Sequence, residues 1–122
     1  MDRSTQNPIV HIELHTGDLN QAGSSFEQLF GWRSELIRVA GASCSYTALD
    51  LGEEPGYGIV ECPAPSPRWL PYVEVDEIGG ATALASSLGG KILLGPREGP
   101  IGWRAVVSMP GAGEIALWQP KR

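Results

Sequence analysis

The sequence predicts an α+β protein of two modules, each a strand, a helix and three further strands, and three observations predict it. A stretch occurs twice: residues 10–32 (VHIELHTGDLNQAGSSFEQLFGW) register without a gap on residues 69–91 (WLPYVEVDEIGGATALASSLGGK), at a constant offset of 59 residues. Within each copy a short alternating run gives way, at an acidic turn, to a helical period that closes on glycine, at Gly31 and at Gly90. The composition agrees, since 16 Gly and 10 Pro in 122 residues demand many turns and short elements rather than a helical bundle.

Taken in order, residues 9–15 alternate, with Val10, Ile12 and Leu14 on one face and His11, Glu13 and His15 on the other, as in a half-buried strand with a polar side. Asp18 stands at the N-cap position of a helix over 19–30, with Gln21 three residues on. Leu19, Ala22, Phe26 and Leu29 form its apolar stripe and match Ile78, Ala81, Ala85 and Leu88 of the second copy. Residues 32–39, 43–51 and 57–62 read as three strands that complete the first module. The run PAPSP after Cys62 can form neither helix nor central strand, so residues 63–68 act as an extended linker between modules 8–62 and 69–119. The second module reads as a strand over 69–75, a helix over 77–88 despite Gly79 and Gly80, a short strand over 91–94, a turn over 95–99, and strands over 102–109 and 114–118.

A chain of this length forms one compact domain, 1–122, able to bury roughly two-thirds of the surface that its unfolded form exposes. A net charge of −5, with only nine Lys and Arg scattered along the chain, argues against a nucleic-acid partner. No apolar run approaches the roughly 20 residues that span a bilayer, and the N-terminus lacks the apolar segment of a signal peptide, so a cytoplasmic protein with no membrane partner is expected. Cys44 and Cys62 are far apart and lack CxxC spacing, which fits two thiols in a reducing compartment. Neither a phosphate-binding glycine fingerprint nor a GxSxG elbow is present.

The runs HIELHTGDL, FEQLFGW, WLPYVEVDEI, LGGKIL and GEIALWQP resemble the vicinal oxygen chelate superfamily, which includes glyoxalases, bleomycin-resistance proteins and extradiol dioxygenases. The resemblance covers residues 8–120. It implies that the two modules form a cupped eight-stranded sheet around a cleft, and that the chain is a homodimer. Members with a metal hold a divalent ion (Zn, Ni, Mn or Fe) at four positions, in the first and last strand of each module. Carried over one position at a time, these fall on His11, near Glu61, on Leu70 and on Ala116, so that only His11 and Glu61 remain as metal ligands. An ion held by two protein ligands would be weakly occupied, because catalytic sites ordinarily fix three. His15, although on the same face, is roughly 13 Å along the strand from His11.

Strand alternation then selects the side chains expected in the cleft: His11 and Glu13 from the first strand, Tyr57, Ile59 and Glu61 from the fourth, Leu70, Tyr72 and Glu74 from the fifth, and Ala116 and Trp118 from the last. His11 and Glu61 are the catalytic candidates, as metal ligands or as general bases, against the plainer roles of a half-buried imidazole satisfied by Glu13 and a solvated strand-end carboxylate. Glu13, Tyr57, Tyr72, Trp103, Arg104 and Trp118 are the ligand-binding candidates. Tryptophan walls suit planar ligands and Arg104 suits an anionic one, although a tryptophan can equally fill core and an arginine can equally form a surface ion pair. The expected function is small-molecule binding of the glyoxalase or bleomycin-resistance type; the alternative is a metal-dependent lyase, isomerase or dioxygenase.

Overall fold

The computed structural model describes residues 7–37, 45–50, 56–61, 67–99 and 101–121, with the backbone alone for residues 33–57 of that set. Cys44, Cys62 and most of the linker lie outside the described residues, and Arg68 already belongs to a strand. The architecture is α+β, with helices α1 (Leu19–Phe30) and α2 (Ile78–Ser87) and strands β1 (Ile9–Thr16), β2 (Arg33–Ile37), β3 (Ser45–Asp50), β4 (Gly56–Glu61), β5 (Arg68–Glu74), β6 (Lys91–Glu98), β7 (Gly102–Met109) and β8 (Gly113–Pro120). The strands pair in both parallel and antiparallel fashion. Two compact units result, His11–Leu70 and Met1–Val10 with Pro71–Arg122. No helix among the described residues is long and apolar enough to cross a membrane.

In the His11–Leu70 unit the strand order is β2-β3-β4-β1, with β1 and β4 parallel and the other pairs antiparallel. α1 begins and ends as its sequence dictates. The Asp18 carboxylate accepts the Gln21 N–H at 3.0 Å, and Gly31 adopts a left-handed φ of 70° while its N–H closes on the Glu27 carbonyl at 2.9 Å. Leu14 and Ile59 are the buried centre, and Leu19, Ala22, Phe26 and Trp32 pack against them. Leu29, expected in the same stripe, is 71% exposed.

The second unit repeats the arrangement. Its order is β5-β8-β7-β6, with β5 and β8 parallel. Val75, Ile78 and Ala105 form the core, covered by Ala81, Trp103 and Leu117. Glycines at the start of α2 are explained by its cap. The Glu77 carboxylate accepts the N–H groups of Gly79 and Gly80 at 2.7 and 2.8 Å, and a Cβ on either glycine would crowd those oxygens at 3.0–3.1 Å. α2 ends earlier than its copy, so the left-handed residue is Gly89 (φ 91°) rather than Gly90. β6 corrects the sequence reading, which ended it at Leu94: the strand continues through Gly95 and Pro96 to Glu98. It does so by slipping register between Ile92 and Leu94 and again between Leu94 and Arg97, which accommodates a proline without an N–H on a terminal strand of the unit.

One contact recurs in both units. The Glu61 side chain at the end of β4 accepts the N–H of Leu19, the first residue of α1, at 2.8 Å, and the Gln119 side chain in β8 accepts the N–H of Ile78, the first residue of α2, at 2.7 Å. Each fills a donor that a helix start otherwise leaves open. Glu61→Ala and Gln119→Ala are each expected to lower the unfolding free energy by about 1–3 kcal/mol in urea titrations, whereas Glu61→Gln and Gln119→Glu retain most of it.

Candidate functional site

On β1 the alternation predicted from sequence holds. Leu14 faces α1, and His11, Glu13 and His15 share the opposite face. There Glu13 is buried, at 7% exposure, and its two carboxylate oxygens each meet one imidazole: Oε2 lies 3.1 Å from His11 Nε2 and Oε1 lies 3.0 Å from His15 Nε2. The backbone register places Gly58 of β4 opposite Glu13, so the β4 partner contributes no side chain beside that carboxylate. When the carboxylate is ionised it only accepts, and each ring then presents an Nε2–H to it, which sets tautomer and orientation. The separation of the two histidines along the backbone had argued only against their sharing one ion. Their rings lean toward the residue between them, which joins all three into one array.

Glu61 is elsewhere. It pairs in register with Thr16, five residues along from His11, which is about 16 Å at strand spacing. It also shares the α1-facing side with Ile59, which is fully buried, and its carboxylate holds the start of α1. The expected cleft set of Tyr57, Ile59 and Glu61 therefore has Ile59 in the core instead. The Tyr57 backbone lies opposite Ile12 and its side chain is outside the described residues. The structure does not bring His11 and Glu61 to one point, so this pair does not fit a shared ion. Among the described residues no group of three or more His, Cys, Asp or Glu is arranged to hold a metal. Leu70 and Ala116, at the other two positions that the resemblance assigns to ligands, are buried apolar residues.

In the second unit, β7 separates two neighbours that the sequence reading had grouped. Trp103 points to the α2 core, with Lys121 over its ring at 5.7 Å, while Arg104 points to the other face. The Arg104 Nη1 donates to the Tyr72 hydroxyl at 3.0 Å, and the Tyr72 ring lies 6.4 Å from that of Trp118. Cross-strand register adds a residue that the sequence did not single out: Arg97 of β6 pairs with Arg104. Like charges at partner positions of neighbouring strands repel unless a negative charge joins them. Glu74, opposite Trp118 on the same face, is the nearest acidic residue in register. The bends of β6 set Arg97 there, a pairing that no sequence period announces.

No protein-family model matches the chain, and no curated protein matches it in sequence. Solved structures do match it. Methylmalonyl-CoA epimerase from Mycobacterium tuberculosis aligns with a TM-score of 0.65 at 14% identity, covering 93% of this chain and 88% of that one. A hypothetical protein from Bacillus halodurans C-125 aligns with a TM-score of 0.70 at 11% identity, covering 96% of both chains. Streptomyces coelicolor methylmalonyl-CoA epimerase in complex with 2-nitronate-propionyl-CoA aligns with a TM-score of 0.66 at 13% identity, covering 95% and 99%. At these identities the likeness is one of fold.

Removing the Glu13 carboxylate should release both rings. In ¹⁵N NMR of the imidazoles, the native protein is expected to show the Nε2–H tautomer at His11 and His15, and Glu13→Ala a mixture of tautomers at both.

Proposed function

On the premise that the chain has the fold of the vicinal oxygen chelate (glyoxalase/bleomycin resistance) superfamily, we propose that it is a small-molecule-binding protein whose ligand carries an anionic group. The observation that carries this reading is the Arg104 cluster. The Arg104 guanidinium is held by a phenol, Arg97 is its backbone partner across the strands, and an indole lies beside the phenol. A planar guanidinium fork matches a carboxylate or phosphate, and an aromatic neighbour supplies apolar contact to the rest of the ligand. Such a site in a chain of net charge −5 runs against the overall field, as a built anion site does.

The proposal keeps the finer expectations from sequence: a cupped eight-stranded sheet around a cleft, sequestration of a metabolite or drug, a cytoplasmic location and a homodimer. Supporting the last, β6 ends the strand order of its unit and exposes Ile92 and Leu93, surface of a kind that a second copy covers. Trp103 and Glu61 we assign to holding α2 and α1 rather than to ligand.

A second reading, a proton-transferring isomerase, is favoured by His11, Glu13 and His15. A buried carboxylate that orients imidazoles is the usual way to prepare a general base, and two such rings can take a proton and return one. The metal-dependent lyase or dioxygenase would need ligands other than the His11 and Glu61 pair.

Calorimetry with a panel of small carboxylates and acyl-CoA thioesters, methylmalonyl-CoA among them, tests the reading. Saturable binding that Arg104→Ala weakens about tenfold or more, and that Arg104→Lys partly restores, is the expected result. No saturable binding by any anion would sink it. Deuterium uptake from solvent into a bound acyl ligand, lost in His11→Ala, would instead establish the isomerase.

A further inference from the structure

The α1 side of β1 holds a recess that neither reading uses. It is an open cavity of about 570 Å³, within the range of small-ligand sites, and it lies wholly inside the His11–Leu70 unit. Its apolar lining is Leu14, Ala22, Phe26, Pro67 and Trp69. Leu14 is buried, whereas Trp69 is 46% exposed, with its ring 5.8 Å from that of Phe26. A large ring left so open beside another aromatic is ready-made contact area for a ligand. Gly17 borders the recess, and a side chain there would meet nothing within 4 Å.

The polar rim settles the sign of charge. Asp18, Thr16 and Gln21 line it, and among the described residues no Lys or Arg does. A helix start ordinarily attracts anions, with roughly half a positive charge. Here two carboxylates already serve it, Asp18 on the Gln21 N–H and Glu61 on the Leu19 N–H, and the Thr16 hydroxyl accepts the Asp18 N–H at 3.1 Å. Two negative charges against half a positive one leave the rim negative. An anion is therefore repelled from this helix start, and a cation is drawn to Asp18 and to the face of Trp69.

We propose that this recess binds a small organic cation with an aromatic or bulky apolar body, the body lying on Leu14, Ala22 and Phe26 and the ammonium group between the Asp18 carboxylate and the Trp69 ring. The proposal does not depend on the anion site at Arg104, which lies in the other unit.

The test uses three probes of one shape: 2-phenylethylammonium, neutral 2-phenylethanol and anionic 3-phenylpropionate. Each is titrated into ¹⁵N-labelled full-length protein while the Trp69 indole N–H signal, assigned with Trp69→Phe, is followed. The expected result is a saturable shift with the ammonium, binding about tenfold weaker for the alcohol, and no shift with the carboxylate. Asp18→Asn keeps a good N-cap residue and removes only the charge, so it is expected to weaken the ammonium about fivefold or more while the melting temperature stays within a few degrees. Ser25→Phe fills the recess from the exposed side of α1 and is expected to abolish the shift. Equal affinity for the three probes, an unmoved Trp69 signal, or undiminished ammonium binding in both variants would overturn the proposal.

Discussion

Parallel pairing of the first and last strand is the constraint on which each module depends. Antiparallel neighbours can be joined by a tight turn, but parallel ones need a crossover; here the chain leaves β1, crosses as a helix and returns through β2 and β3 before β4 lies beside it. Because β1 and β4 then run the same way, the end of β4 arrives where α1 begins. Glu61 stands opposite Thr16 and reaches the first amide of the helix; β5, β8 and Gln119 repeat the geometry at α2. A contact 42 residues apart in sequence is thus a local consequence of strand direction.

With the helices fixed on one side, the other side of the strands is available for polar groups, and there the repeats part company. Positions 11, 13 and 15 are His, Glu and His; their counterparts at 70, 72 and 74 are Leu, Tyr and Glu. One strand carries a shared carboxylate between two imidazoles, while the other carries a phenol that anchors a guanidinium. Burial treats them alike, since Glu13 and Tyr72 are exposed by only 7% and 5%. The backbone plan was kept and the chemistry on it diverged.

Much of this plan was legible because it rests on short-range rules. The offset of 59 aligned β1 with β5 and α1 with α2 at their first residues, and Asp18 and Gly31 bounded α1 as its caps require. What escaped the sequence depended on pairing. YGIVEC alternates plausibly on either face, and only the register of Ile59 with Leu14 turns Glu61 toward α1. Trp103 and Arg104, adjacent in sequence, had to part on β7. The histidines were judged by backbone spacing, which ignores the reach of two rings toward one carboxylate. Arg97 was invisible because it meets Arg104 only after β6 has slipped twice.

The two helix latches differ by a single group, a carboxylate at Glu61 and an amide at Gln119, and either can accept the same N–H. Glutamate and glutamine codons are one base apart. Such a position can therefore drift between charged and neutral forms over generations without passing through an intermediate that leaves the helix unheld. The ends of both helices are sites where a lineage can retune surface charge while the architecture stays intact.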